Sequence, residues 1–235
     1  MAVKFQPFAQ AGVGSDGTFL DTFQRANVSE GAGPNWALNR QQSTVNICLF
    51  SITTNKLRWT FSAGSGSCHN FLFALPGMAV FGSGSAGASP LQAQSHFSEH
   101  TIDSDNSVLG SLTRVGAAVA MQGTTNNGSC YIFENFPEVL SYKIQRNVNG
   151  SLTSLVDHSA TPMYSTVVGL KVKLSVEFTN STTTTVRCYL NDVLTDVLPD
   201  TNAARLTNGG PGIFGEFCST GRSCNYSQYR CGPGI

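Results

Sequence analysis

Charge is scarce in this chain. Asp, Glu, Lys and Arg make up 12% of its 235 residues, about half the usual share. The 14 basic and 14 acidic side chains cancel, so the formal net charge is zero. Nucleic acids and anionic membranes are usually met by a basic stripe, and none runs through this sequence. Long apolar runs are absent too. The longest candidate, 71–81, is broken by Pro76 and Gly77, far short of a membrane-spanning helix. Residues 1–14 have one lysine and no continuous apolar core of the kind a secretory signal needs, which favours synthesis and folding in a cytosol. No window of useful length carries an amphipathic helical period. Gly64-Ser65-Gly66 and Gly82-Ser83-Gly84-Ser85 lack the strand and helix that would make a phosphate-binding loop of them.

Alternation at period two takes the helix's place. Val172, Leu174, Val176 and Phe178 fall on one face of a strand, and Lys171, Lys173, Ser175 and Glu177 on the other. After the polar stretch 179–185, Val186, Cys188 and Leu190 alternate with Arg187, Tyr189 and Asn191. Two such runs predict an antiparallel hairpin with one wet face, which needs a second sheet to cover the other. Asn149-Gly150 predicts a two-residue hairpin turn, because both turn positions require positive φ, and Asn191-Asp192 can make the same turn. Short strands joined by regular turns define an all-β sandwich or barrel.

Asp21-x-Phe23-x-Arg25-Ala26-Asn27, followed by Asn35-Trp36, resembles the opening of concanavalin A-like lectin/glucanase sandwich domains. Further stretches fit that family in order. Arg114 to Ala120 resembles its central strand, Tyr142 to Gly150 its hairpin, Lys171 to Leu190 its long strand pair, and Gly209 to Ile213 the turn before its last strand. The resemblance covers about 19–217. It implies a two-sheet antiparallel jelly roll over 18–217, preceded by an N-terminal arm over 1–17 and followed by a cysteine-bearing extension over 218–235. Asp21, Phe23, Arg25, Trp36, Arg114 and Gly150 are then structural: Arg25 is expected to pair with Asp21, and Trp36 to cap the core.

Such domains occur in bacteriophage virions, and the resemblance implies a non-catalytic structural or decorating protein on the surface of a phage-like particle. Its partners would be its own copies and capsid or tail proteins, with no nucleic acid and no membrane. The alternative is a carbohydrate- or receptor-binding module that recognises host glycans. For it, the candidate sugar-stacking rings are Trp59, Tyr189, Tyr226 and Tyr229, of which Tyr189 is placed on a wet face. A glycoside hydrolase is the third reading. Glucanases of this fold carry a strand of alternating carboxylates flanking the glycosidic bond, and no such strand is found here. Asp103 and Asp105 read as turn residues, as do Glu134 and Glu138 around Asn135-Phe136-Pro137.

Metal chemistry has thin support, and no cofactor is expected. His96-Phe97-Ser98-Glu99-His100 has the H-x-x-E-H order of inverted zinc proteases, but that motif works only on a helix. On a strand the two imidazoles lie about 13 Å apart. Calcium is left open through Asp103 and Asp105 alone, two acids without a third ligand. Cys218, Cys224 and Cys231 crowd the tail without the paired spacing of a zinc ribbon. They read as reduced, packed thiols ahead of a disulfide or a metal site, and Cys188 as a small buried hydrophobe.

Overall fold

A computed structural model describes residues 12–13, 18–24, 26–27, 29, 36–41, 48–61, 69–74, 95–105, 115–122, 129–136, 139–215 and 223–234. Among these residues there is no α-helix. There are sixteen strands: β1 (Gly12–Val13), β2 (Phe19–Asp21), β3 (Trp36–Gln41), β4 (Cys48–Thr53), β5 (Lys56–Phe61), β6 (His69–Ala74), β7 (His96–Asp105), β8 (Val115–Gln122), β9 (Ser129–Phe136), β10 (Ser141–Val148), β11 (Ser151–Asp157), β12 (Lys171–Glu177), β13 (Thr184–Leu190), β14 (Val193–Asp200), β15 (Gly210–Gly215) and β16 (Ser223–Pro233).

They form two antiparallel sheets. One has nine strands, in the order β1-β2-β16-β7-β12-β13-β14, with β5 also pairing β16 and β4 pairing β5. The other has seven, in the order β11-β10-β9-β8-β15-β6-β3. The expected all-β jelly roll is therefore the observed fold.

The strand pair that the alternation predicts is β12 and β13, in register from Val172↔Leu190 to Glu177↔Thr185. Val172, Leu174, Val176, Val186 and Cys188 are fully buried, and Leu190 nearly so. Opposite them the seven-stranded sheet contributes Ala117, Val119, Tyr131, Phe133, Tyr142, Ile144 and Ile213. Ser175 departs from expectation: it lies on the outer face yet is fully buried. A second cluster, of Ala118, Met121, Cys130, Ile132 and Phe214, alternates with these residues and so lies on the other face of the seven-stranded sheet.

Both expected turns form. Asn149 (φ 51°) and Gly150 (φ 87°) join β10 to β11, and Asn191 (φ 50°) and Asp192 (φ 67°) join β13 to β14. Thr54 (φ 51°) and Asn55 (φ 61°) join β4 to β5 in the same way. Positive φ at both positions matches the strands' right-handed twist.

The C-terminal segment is not an extension. Its strand β16 lies inside the nine-stranded sheet, between β2 and β7. Cys224, Tyr226, Tyr229 and Cys231 are all fully buried there, with register shifts between 225 and 228 accommodating their spacing. Gly209 to Ile213 likewise leads into and forms β15, an interior strand, and the last strand follows later. Of the N-terminal arm, only β1 is described, paired to β2.

Gly209 fixes the junction of β15 with β8. Its φ is +122°, and a Cβ there would come within 2.3 Å of the Ala120 carbonyl carbon. Gly209→Ala is expected to destabilise the fold by roughly 3 kcal/mol, from backbone strain plus the clash. Gly210→Ala, whose Cβ would meet nothing within 4 Å, is the control. Urea midpoints of the two variants check this, and equal shifts would refute it.

Candidate functional site

The nine-stranded sheet turns one face inward. Its other face carries aromatic and charged side chains. Register sets two adjacent rows of side chains across it. In one, Leu194 lies beside Tyr189, Tyr189 beside Lys173, Lys173 beside Glu99, Glu99 beside Arg230, and Arg230 beside Leu20. In the other, Val197 lies beside Arg187, Arg187 beside Ser175, Ser175 beside Phe97, and Phe97 beside Gly232. Gly232 leaves room for the Phe97 ring, since a Cβ there would sit 3.1 Å from ring atom Cε1.

A pocket of about 250 Å³ opens between these rows, lined by Phe97, Lys173, Ser175, Arg230, Pro233 and Gly234. Phe97 is half-buried. The Arg230 guanidinium carbon lies 5.3 Å from its ring centroid and the Lys173 ammonium 6.0 Å away. The same ammonium sits 4.1 Å over the Tyr189 ring, within cation–π range. Glu99 is 4% exposed. Its Oε1 is 3.6 Å from Arg230 Nε, too long for a hydrogen bond but close enough for charge attraction. Three buried polar atoms of these rows have no hydrogen-bond partner among the described residues: Ser175 Oγ, Glu99 Oε2 and Arg230 Nε. Leaving such an atom unsatisfied costs about 1–3 kcal/mol, and a ligand or water removes that cost.

The sequence candidates are distributed differently. Tyr189 lies on the outer face as expected, half-buried beneath Lys173. Tyr226 and Tyr229 do not face solvent. Both are fully buried, Tyr226 against His100 and Tyr229 against Phe19, and burial raises the Tyr229 phenol well above its ordinary pKa. They serve the core because β16 is an interior strand. Of Trp59, only the backbone is described, on β5 opposite Phe50 and Cys224.

Asp21 Oδ1 accepts a bond from the Phe23 amide at 2.7 Å and so holds Phe23 at φ 55°, with the Phe23 ring fully buried. Trp36 begins β3, opposite Ala74, and only its backbone is described. Arg25 and Arg114 lie outside the described residues.

Asp103 sits on β7, not in a turn, and its carboxylate is 2.5 Å from Lys56 Nζ. Asp105 ends the same strand. Among the described residues, no group of three or more His, Cys, Asp or Glu could hold a metal ion. Glu134 also lies on a strand, β9, where it is buried and accepts a bond from Gln145 Nε2. Glu138 lies outside the described residues.

The H-x-x-E-H segment is β7, as its setting predicted. His96 and His100 both point into the core and Glu99 points out, so the three cannot share one ion. Cys224 and Cys231 are packed in the core, as is Cys188, and burial pushes Cys231 up to about 12. Cys218 lies outside the described residues.

The sequence reading passed over Phe97, Arg230 and the pocket they make. A signal was available. Alternation along β7 puts Phe97 and Glu99 together on the face opposite both histidines.

No protein-family model and no curated protein matches the chain. Solved structures do. A prokaryotic β-1,3-1,4-glucanase (lichenase) derived from a mouse hindgut metagenome superposes with a TM-score of 0.51 at 7% identity, covering 92% of this chain and 99% of that one. Lectin I-B4 from Griffonia simplicifolia, in its metal-free form, gives 0.49 at 14% identity, covering 93% and 99%. A carbohydrate-binding module from Bacillus subtilis gives 0.44 at 14% identity, covering 81% and 91%. The chain has the two-sheet, concanavalin A-like jelly roll that lectins and glucanases share.

Proposed function

We propose that this chain is a non-catalytic carbohydrate-binding module whose glycan lies on the outer face of the nine-stranded sheet. The observation that carries it is the Phe97 pocket. A half-buried ring offers a face for a sugar to stack on, and among the described residues neither the buried Ser175 Oγ in the pocket lining nor Glu99 Oε2 in the adjacent row has a hydrogen-bond partner. Sugars supply both kinds of group these atoms need, an apolar C–H face and ring hydroxyls. The fold shared with a glucanase is compatible with a saccharide ligand, and fold alone does not assign one. Glu134 on β9 is buried and hydrogen-bonded to Gln145, which favours binding over hydrolysis.

Phe97→Ala is expected to weaken glycan binding at least about tenfold, the usual consequence of truncating an aromatic anchor at the centre of a site. Calorimetry with a glycan selected on an array checks this. If the intact protein retains no glycan, or Phe97→Ala binds as well, the proposal is wrong.

A second reading has its own observation. Val193, Leu194 and Val197 are exposed on β14, the last strand of the nine-stranded sheet. Exposed apolar side chains on an edge strand favour contact between copies. This is the feature a structural component of a phage-like particle would use. Light scattering at several concentrations tests it: a discrete oligomer supports it, and a monomer throughout opposes it.

A further inference from the structure

We infer that the saccharide taken by the Phe97 pocket is acidic, with its carboxylate or sulfate held by Arg230 and Lys173. This deepens the carbohydrate-binding proposal and rests on it. The charges on this face decide the matter. Arg187 Nη2 is bound to Glu177 at 2.8 Å, and Lys171 is bound to Asp192, so those four groups cancel in pairs. Around the pocket itself, Lys173, Arg230 and Glu99 are left among the described residues. Two cations then face one carboxylate, on a chain whose net charge is zero.

Neither cation is saturated. Among the described residues, Lys173 makes no ion pair and rests on the Tyr189 ring. Arg230 touches Glu99 only at 3.6 Å, its Nε is unpartnered, and its side chain is 43% exposed. Asp192 is the other carboxylate whose field reaches both, but its own hydrogen bond goes to Lys171.

The cations flank the Phe97 ring at 5.3 and 6.0 Å. A pyranose stacked on that ring would place an exocyclic acid within reach of the planar guanidinium fork, which suits carboxylate and sulfate geometry. Ser175 Oγ in the pocket lining and Glu99 Oε2 in the adjacent row, both buried, would take ring hydroxyls. A neutral sugar would satisfy the ring and these two atoms and leave the excess positive charge unmet.

The test is a glycan array in which each sialylated, uronic-acid or sulfated glycan is paired with its uncharged parent, probed with the intact chain, Arg230→Met, Lys173→Met and Arg230→Lys. The expected result is binding to acidic members at least about tenfold above their parents. That preference should fall in the two methionine variants, recover in part in Arg230→Lys, and weaken in 0.5 M salt. Unchanged melting temperatures would show that the variants fold. If parents bind as well as acids, and Phe97→Ala but not Arg230→Met weakens binding, the acidic inference is overturned while the carbohydrate reading stands. If no glycan binds, both fall.

Discussion

Replacing Asp200 by alanine is expected to lower the unfolding free energy by roughly 3–5 kcal/mol, the range for breaking a buried ion pair from one side. Asp200 ends β14 in the nine-stranded sheet and is 5% exposed. Its two carboxylate oxygens accept bonds from Arg146 Nη1 at 2.8 and 2.7 Å, and Oδ2 accepts another from the Tyr131 hydroxyl at 2.8 Å. Arg146 and Tyr131 stand on β10 and β9, in the opposite sheet. The cluster therefore ties the two layers together through the sandwich. The Tyr131 oxygen in turn accepts the Leu206 amide at 3.1 Å, which anchors the segment leading to β15. Removing the carboxylate leaves a guanidinium buried without its counter-charge.

The cost arises from that orphaned charge more than from the lost attraction, and a second variant separates the two. Asp200→Leu combined with Arg146→Met removes both charges at similar volume. It is expected to recover most of the loss, because ion pairs replaced by apolar side chains are often neutral in stability. Urea unfolding of the two single variants and the double variant gives the coupling energy. A loss below about 1 kcal/mol for Asp200→Ala would refute the assignment. Four residues earlier on β14, Asp196 makes a smaller version of the same tie. It accepts the Tyr142 hydroxyl at 2.5 Å and contacts His158 Nε2 at 3.0 Å.

The layer architecture was legible wherever a strand had one apolar and one polar face. The run from 171 to 190 showed it, and its apolar positions Val172, Leu174, Val176, Val186, Cys188 and Leu190 are all buried, with Ser175 the one outer-face residue from 172 to 176 that is buried as well. The turns were legible where Asn and Gly sit side by side. Thr54-Asn55 was missed because threonine seldom adopts positive φ, and there the hairpin geometry overrides the residue's preference.

Strand β16 was missed for a different reason. Its inward residues are Tyr and Cys, which read equally well as exposed rings and reactive thiols, and its register shifts break the simple alternation. The pocket was less legible still. Phe97 and Lys173 are far apart in sequence and are brought together only by the pairing of β7 with β12. Arg230 joins them only because β16 enters the sheet on the other side of β7. A site assembled from three strands by long-range pairing leaves no local motif.

Acid should destabilise this fold well before its carboxylates titrate, and His100 is the reason. The ring is 2% exposed, packs edge-on against Tyr226 at 4.7 Å, and has no hydrogen-bond partner at Nδ1 among the described residues. Burial lowers its pKa to about 3, against 6.5 for a free imidazole. Between those values the unfolded chain holds a proton at this position and the native chain does not. Stability is thus complete above pH 6.5 and falls as the pH drops toward 3, by roughly 1 kcal/mol per unit. Urea midpoints at pH 7, 6 and 5 measure the slope. In His100→Phe and His100→Gln the slope should flatten across this window, because carboxylates contribute mainly below it. An unchanged slope in both variants would mean that His100 is protonated in the native protein, and its placement beside Tyr226 would then be wrong.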